Sequence, residues 1–218
     1  MIEKQFSRDE ISLALQNKGF LVINLSSLEI YYQVCAQLGE IKHKLEVKLE
    51  QGSKIYANIE GKVPFHTDNP NIPIVAWHCL EPDSMDGANM LIDSHVVTQK
   101  LSQEDIITLT GVRLPVPYSD SDHAILNLDP YHVYWLPRMV EEAKSGFSEK
   151  ELGAVKRFNT VLEELYKSAQ YQNLRLQKGD TLFVNNWVML HGRNEISGES
   201  KRHLVRVYIS GDGDVRTY

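Results

Sequence analysis

Helical and extended patterns alternate in the first part of the chain. The segment SRDEISLALQNKGF places Ser7 at a helix N-cap position, Glu10 three residues later and Gly19 at its end, which predicts a short helix. The run FLVINL predicts a buried strand. The segment SSLEIYYQVCAQLGE then combines a serine cap, apolar residues at helical spacing and Gly39, which predicts a second helix. The chain is therefore expected to open as helix, strand, helix.

The pattern changes from Ser53 onward to short apolar or alternating runs that turn residues separate, which is typical of strands. The predicted strands are KIYANI, NIPIVAWHCL, NMLIDSHVV, VRLPVP, HAILNL and HVYWL. A helical segment, SEKELGAVKRFNTVLEELYKSA, precedes the last two strand candidates, NLRLQKGDTLFVNNWV and KRHLVRVYIS. Many short strands with flanking helices favour a β-sandwich or barrel.

Composition and charge narrow the classes of protein and partner. No repeat or linker divides the 218 residues, so one domain over residues 1–218 is expected. The formal net charge is -6 and no basic run is present, so a nucleic-acid partner is not expected. The sequence shows neither a signal-peptide core nor a bilayer-spanning apolar stretch, which predicts a cytoplasmic protein without a membrane partner. Cys35 and Cys79 match no metal-binding spacing and are expected to be buried thiols.

The segment PFHTDNP contains the first candidate chemistry. His66 and Asp68 are two residues apart, so on an extended segment they project from the same face and can chelate one ion. His191 in NNWVMLHGR is the candidate third ligand, because it is expected to end an apolar strand where the chain turns into a polar loop. Two histidines and one carboxylate form the facial triad of non-haem iron(II), and the same donors serve zinc hydrolases.

The remaining histidines are weaker candidates. His78 and His203 lie inside predicted strands, where a hydrogen-bonded structural role is expected. Four others have no partner at ligand spacing: His43, His95, His123 and His132.

Two arginines help to discriminate between the metals. Arg202 and Arg206 in KRHLVRVYIS are four residues apart on a predicted strand, so they are expected to face the same way. A planar guanidinium can bind a carboxylate through two hydrogen bonds, which suits the binding of a 2-oxo acid. A zinc hydrolase has no such requirement, so the pair favours iron(II) without excluding zinc.

In chain order, the motifs HTD, DGAN, HGR and RHLVR resemble those of the taurine dioxygenase and clavaminate synthase-like family of iron(II)/2-oxoglutarate oxygenases. The resemblance implies a mainly β fold with flanking helices, built on a double-stranded β-helix, or jelly-roll, core. It also implies that His66, Asp68 and His191 bind Fe(II). By the same resemblance, Arg202 binds the distal carboxylate of 2-oxoglutarate and Arg206 lines the substrate pocket.

Three further positions near these motifs are candidate contacts. Asn89 in DGANM stands where the family has a threonine that contacts 2-oxoglutarate, and an amide can also donate a hydrogen bond. Tyr56 and Asn58 precede the HTD motif and are candidate substrate contacts.

The resemblance implies hydroxylation of an unactivated C–H bond, with 2-oxoglutarate and O2 as co-substrates and with release of succinate and CO2. The substrate class that it implies is a small metabolite: an amino acid, an amine or a carrier-protein-tethered intermediate of secondary metabolism. Asp68 argues against halogenation, because related halogenases lack this carboxylate. Desaturation, cyclisation and epoxidation stay open. So do a zinc-dependent hydrolase and a non-catalytic small-molecule-binding protein on the same barrel.

Overall fold

Two antiparallel sheets lie at the centre of the computed structural model, which describes residues 6–50, 53, 56–83 and 87–211. The major sheet contains, in spatial order, β1 (Phe20–Asn24), β11 (Asp180–Asn185), β4 (Ile74–Glu81), β13 (His203–Ser210) and β2 (Glu40–Lys48). The minor sheet contains β10 (Gln172–Leu174), β5 (Asn89–Asp93), β12 (Met189–Ile196) and β3 (Gly61–His66). Strands that are distant in the sequence pair in both sheets, which confirms the jelly-roll core.

Helices and two small hairpins surround the sheets. The helices are α1 (Arg8–Lys18), α2 (Leu28–Leu38), α3 (Ser94–Thr98), α4 (Gln103–Gly111), α5 (Pro137–Ala143) and α6 (Glu149–Lys167). The hairpins pair β6 (Arg113–Pro115) with β7 (Asp122–Ala124) and β8 (Leu126–Leu128) with β9 (Tyr131–Val133). Single 3-10 turns cover Tyr56–Asn58 and Lys144–Gly146. None of the helices in the described ranges combines the length and the apolar character needed to cross a bilayer.

The sheets are buried on both faces, which gives four layers. On β4, Ile74 and Ala76 belong to the core shared with α1 and α2, whereas Val75 and Trp77 belong to the core between the sheets. On β5, Leu91 points into that central core, and its neighbour Met90 packs into the core formed with α4 and α6. This double burial explains why β4 appears in the sequence as an almost continuous apolar run.

The predicted helix boundaries are confirmed. Ser7 and Glu10 form a reciprocal capping box at the start of α1, and Gly19 ends the helix with a φ of 76°. Ser27 caps α2, and the long predicted helix is α6, which begins with a second capping box at Ser148. Local side-chain chemistry therefore specifies the ends of these helices.

Several strand predictions need correction. The run FLVINL forms β1, but β1 is an edge strand in which only Ile23 is buried. The run KIYANI is not a strand, since residues 56–58 form a 3-10 turn and residues 54 and 55 lie outside the described ranges. The strand predicted in NMLIDSHVV ends at Asp93, whose carboxylate accepts the His95 N–H at 2.9 Å and caps α3.

The segments around the last strands also differ from the prediction. NLRLQKGDTLFVNNWV contains two strands, β10 and β11, and HGRNEI belongs to a further strand, β12. The strand β2 was not predicted, because charged and exposed residues dominate it and only Val47 is buried. It is an edge strand that pairs along its whole length with β13.

Candidate metal and co-substrate site

A β-bulge directs the first candidate ligand into the space between the sheets. His191 on β12 pairs with His66 on β3, but Arg193 pairs with Val63, so β3 has one extra residue between these pairs. Val63 and His66 consequently both line the interior cavity. The His66 Nδ1 lies 2.9 Å from the carbonyl oxygen of Pro64, which fixes the ring and leaves Nε2 as the nitrogen available to a ligand.

Asp68 lies in the loop that connects β3 to β4, and its backbone is held in place. Its N–H donates to the side-chain oxygen of Asn186 at 2.8 Å. The preceding residue, Thr67, donates its N–H to the carbonyl oxygen of Trp135 and accepts the Trp135 N–H with its hydroxyl at 2.9 Å. The carboxylate of Asp68 is therefore presented by a loop whose main chain is tied to two other segments.

His191 does not end a strand, as the sequence suggested, but is the third residue of β12. It pairs with Leu91 of β5 on one side and with His66 of β3 on the other. A Cβ at the next position, Gly192, would lie 2.7 Å from the carbonyl oxygen of Val63, so the HGR glycine permits the close approach of β3.

The three candidate ligands meet at one point. One donor atom from each of His66, Asp68 and His191 lies within 4.8 Å of the others, and all three residues are buried. They form the one group of three or more possible metal ligands in the described ranges. The Asp68 Oδ2 and both ring nitrogens of His191 have no hydrogen-bond partner among the described residues, although Asp68 Oδ2 and His191 Nε2 are 3.3 Å apart. Buried, converging donors without partners fit a divalent cation.

The electrostatics of this group favour the metal-binding protonation states. Burial, together with the neighbouring His191, lowers the pKa of His66 to about 4, so the imidazole is neutral at physiological pH. Burial alone would raise the pKa of Asp68, but Arg206 and the two histidines outweigh it and hold that pKa below its usual value. The site therefore presents a neutral His66 imidazole and an ionised Asp68 carboxylate, which are the states that metal binding requires.

Arg202 supplies a buried cation at another part of the same cavity. It immediately precedes β13, and its Nη2 donates to the side-chain oxygen of Asn89 at 3.0 Å. No described carboxylate lies within ion-pair distance of it, although Asp83 is near enough to oppose the lowering of its pKa. Burial and the nearby Arg193 lower the pKa of Arg202 to about 10, and it stays charged at neutral pH. A buried cation without an anionic partner fits an anionic ligand.

Arg206 faces the cavity from β13, as its spacing from Arg202 predicted, although Arg202 itself lies just outside the strand. The Arg206 Nη1 lies 3.5 Å from the Asp68 Oδ1, and its guanidinium lies over the Tyr208 ring at 4.6 Å. Burial would lower the pKa of Arg206, but Asp68, together with Tyr208 and Tyr31, outweighs the effect of burial, and the pKa is raised. Its counter-charge is therefore a candidate metal ligand.

Arg193 is a further buried residue of the site whose role was missed from the sequence. Its guanidinium donates to the carbonyl oxygens of Ala57, Ile59 and Gly61, each at 2.8 Å. These bonds fix the segment that leads into β3. The signal was present in the HGR motif, because an arginine two residues after His191 on one strand faces the same way as that histidine.

Of the two candidate substrate contacts, Asn58 is not among the residues that line the cavity. Asn58 is buried and donates to the carbonyl oxygen of Glu46 at 3.4 Å, and its neighbour Ala57 lines the cavity instead. The side chain of Tyr56 lies outside what the structure describes. Asn89, the predicted co-substrate contact, does line the cavity.

The other histidines show one unexpected pairing. His78 stacks on Tyr31 and bonds the Thr181 hydroxyl at 2.8 Å, which confirms a structural role. His123 and His132 had no partner by spacing, but two hairpins bring their ring centroids to 4.6 Å. Burial and His123 lower the pKa of His132 to about 3. This pair lies outside the candidate metal site.

The cavity that joins the triad and Arg202 has a volume of about 170 Å³. Both sheets contribute to it, since the triad comes from the minor-sheet side and the two arginines from the end and interior of β13. Apolar side chains form much of the wall: Val47, Val63, Trp77, Leu91, Leu136 and Leu182. The arrangement places one candidate cation site and one candidate anion site in a cavity with largely apolar walls.

Comparisons with known proteins agree with this fold. A family model described as "Taurine catabolism dioxygenase TauD, TfdA family" matches residues 4–208. Human gamma-butyrobetaine dioxygenase is 25% identical over 193 residues, which cover 78% of this chain and 50% of that protein. The chain thus spans about half the length of this curated relative.

Solved structures are similar over most of the chain. Asparagine oxygenase in complex with Fe(II), 2S,3S-3-hydroxyasparagine and succinate superposes with a TM-score of 0.72 at 16% identity, covering 93% of this chain and 78% of that one. The non-heme iron oxygenase OrfP in complex with Fe and alpha-ketoglutaric acid gives a TM-score of 0.70 at 16% identity, covering 94% and 78%. At these identities the likeness establishes the shared fold.

Proposed function

The chain belongs to the TauD, TfdA family, and on that basis we propose that it is a non-haem iron(II)- and 2-oxoglutarate-dependent oxygenase. The single observation that carries this proposal is the convergence of His66, Asp68 and His191 in the same buried cavity as Arg202. 2-Oxoglutarate has a 2-oxo acid group that chelates a metal and a distal carboxylate that needs a cationic partner. A candidate metal site beside a buried arginine meets both requirements.

Iron(II), when bound with 2-oxoglutarate and O2, supplies the oxidising chemistry that converts 2-oxoglutarate to succinate and CO2 and inserts oxygen into a C–H bond of the substrate. The chain's own part is to hold the metal on one face through His66, Asp68 and His191, so that the other positions stay open. The Pro64 carbonyl orients His66, and Arg206 compensates the charge of Asp68.

Arg202 binds the distal carboxylate of 2-oxoglutarate in this proposal. The Asn89 side chain accepts one N–H of Arg202 and so orients the guanidinium, and the remaining donors can pair with a carboxylate. Arg202 is buried, and apolar side chains form much of the cavity wall, which strengthens this charge pairing.

For the primary substrate we propose a small amino acid or amine, with hydroxylation as the outcome. The support is indirect: two of the similar structures contain hydroxyasparagine or hydroxyarginine, and the similar relative acts on gamma-butyrobetaine. A carrier-tethered substrate is the finer alternative within this class. Asp68 supports hydroxylation over halogenation, because its carboxylate would be the third protein ligand of the metal, the ligand that related halogenases lack.

The paired charge sites disfavour the two other functions considered. A zinc hydrolase would have no use for a buried arginine that lacks a counter-ion beside the metal ligands. A purely binding protein would not need three converging ligand atoms, two of whose residues, Asp68 and His191, have buried donor atoms without a hydrogen-bond partner among the described residues.

Anaerobic titration tests the proposal. Adding Fe(II) and then 2-oxoglutarate to the protein should produce a weak visible charge-transfer band, which Zn(II) cannot give. Release of succinate in air, scored across amino acids, amines and their carrier-tethered forms, would then identify the substrate. A protein that binds Fe(II) but gives neither the band nor succinate would contradict the proposal.

A further inference from the structure

The loop that carries Asp68 is held by one buried asparagine side chain. Asn186 accepts the Asp68 N–H at 2.8 Å and donates its side-chain N–H groups to the carbonyl oxygens of Asn69 at 3.2 Å and Ile72 at 2.9 Å. Its own backbone N–H donates to the carbonyl oxygen of Pro73 at 2.8 Å. One fully buried residue thus bonds the loop at four points between residues 68 and 73.

Asn186 also stands next to the strand of another candidate ligand. It lies in the turn between β11 and β12, five residues before His191. The adjacent Trp187 donates its indole N–H to the carbonyl oxygen of Pro70 at 2.8 Å, a second link from the same turn to the same loop. The turn therefore connects the backbone of Asp68 to the strand of His191.

The chemistry of this position is specific to an amide. A side chain that both accepts one N–H and donates two is required, and alanine or leucine would leave the Asp68 N–H buried without a partner. The loop itself is not part of either sheet, so these bonds take the place of a strand ladder in setting where the Asp68 carboxylate lies.

We propose that Asn186 is a positioning residue that fixes the Asp68 backbone and thereby sets the distance of the carboxylate from His66 and His191. It acts through Asp68 and does not contact the metal. The proposal rests on the metal site put forward above, and it extends that site to a residue beyond the ligands. Neighbours that orient metal ligands commonly change metal affinity by about 10- to 100-fold when they are replaced.

The test compares two adjacent buried asparagines, Asn185 at the end of β11 and Asn186 in the turn that follows it. Asn186→Ala removes the loop contacts, whereas the matched control Asn185→Ala removes a fully buried side chain whose oxygen accepts the Trp187 N–H within the turn. For each purified protein, the free energy of unfolding without metal and the dissociation constants for Fe(II) and Mn(II), measured anaerobically, are determined.

Both replacements are expected to lower the unfolding free energy, but only Asn186→Ala should weaken metal binding. Support requires its metal dissociation constant to exceed that of Asn185→Ala by about fivefold or more, and a smaller difference overturns the proposal. If Asn186→Ala does not fold, the nearly isosteric Asn186→Asp decides on the same threshold, because it keeps the acceptor and loses both donors. A wild-type chain that binds neither metal would instead overturn the proposed function itself.

Discussion

The two ends of the cavity differ in how their charges are compensated. At the candidate metal end, the Asp68 Oδ1 lies 3.5 Å from the Arg206 Nη1, so the protein supplies its own counter-charge. At the other end, Arg202 is equally buried but forms no ion pair with a carboxylate in the described ranges, and its hydrogen-bonding side chain, Asn89, is uncharged.

This difference indicates that one end of the cavity suits a cation and the other an anion. A buried carboxylate that binds a cation must stay ionised when no metal is bound. Arg206 favours this state, because it lowers the pKa of Asp68 against the effect of burial. An anion site instead leaves its cation uncompensated, so that the incoming carboxylate restores neutrality. The four predictions below, in order of decreasing effect, separate the two ends.

The largest effect is expected at the metal end. His66→Ala and His191→Ala should each abolish saturable Fe(II) binding and succinate formation, because each removes one of the three proposed metal ligands. The protein should stay folded, because the sheet that carries these ligands does not depend on the metal. Anaerobic Fe(II) titration and circular dichroism measure the two properties. The control His203→Ala replaces a half-buried histidine paired with Glu46 and should bind Fe(II) normally. Near-normal activity in either ligand variant would remove that residue from the site.

Arg202→Ala should weaken the binding of 2-oxoglutarate and leave metal binding unchanged. Loss of a charge-assisted pair in a buried pocket costs about 2–4 kcal/mol, which weakens 2-oxoglutarate binding by about 30- to 1,000-fold. Arg202→Lys should restore part of the affinity, since it keeps the charge but not the planar donors. The measurement is a 2-oxoglutarate titration at saturating metal. A large defect in Arg206→Ala with none in Arg202→Ala would reverse the assignment.

Arg206→Ala should weaken metal binding by about 10-fold and raise the succinate formed per product formed, because the Asp68 carboxylate loses its buried partner. Because a bound metal stabilises the folded state in proportion to its affinity, Mn(II) should raise the unfolding temperature of the variant less than it raises that of the wild type. Thermal unfolding with and without Mn(II) measures this difference. Equal destabilisation in both states would mean that Arg206 serves packing alone.

The smallest effect is expected for Asn89, which orients Arg202. Asn89→Ala removes one hydrogen bond of about 1 kcal/mol and should weaken 2-oxoglutarate binding by about fivefold. Asn89→Thr keeps a hydroxyl acceptor and should bind 2-oxoglutarate within about twofold of the wild type. If threonine is no better than alanine, the contact with Arg202 does not orient it.

Much of the site could be predicted because its residues lie in short motifs. The spacing of His66 and Asp68, and that of Arg202 and Arg206, follows from the period of an extended chain and needs no tertiary information. The capping boxes at Ser7 and Ser148 are equally local, and they correctly marked the starts of α1 and α6. The order of the motifs was enough to indicate the family.

Other features depend on contacts between distant segments. The bulge that turns His66 inward exists only because β12 pairs with β3, and the edge strand β2 forms on β13 although its own pattern is weak. Hairpins bring His123 against His132, which no spacing in the sequence indicates.

The sequence by itself determined the donor types, their local spacing and the helix ends, because these depend on neighbours within a few residues of the chain. Only the tertiary structure decided that Asn186 holds the loop of Asp68, that Arg193 holds the segment before β3, and that Arg206 pairs with a ligand. The physical reason is that a buried polar group must find its partner wherever the fold brings one close, and that partner can be more than a hundred residues away.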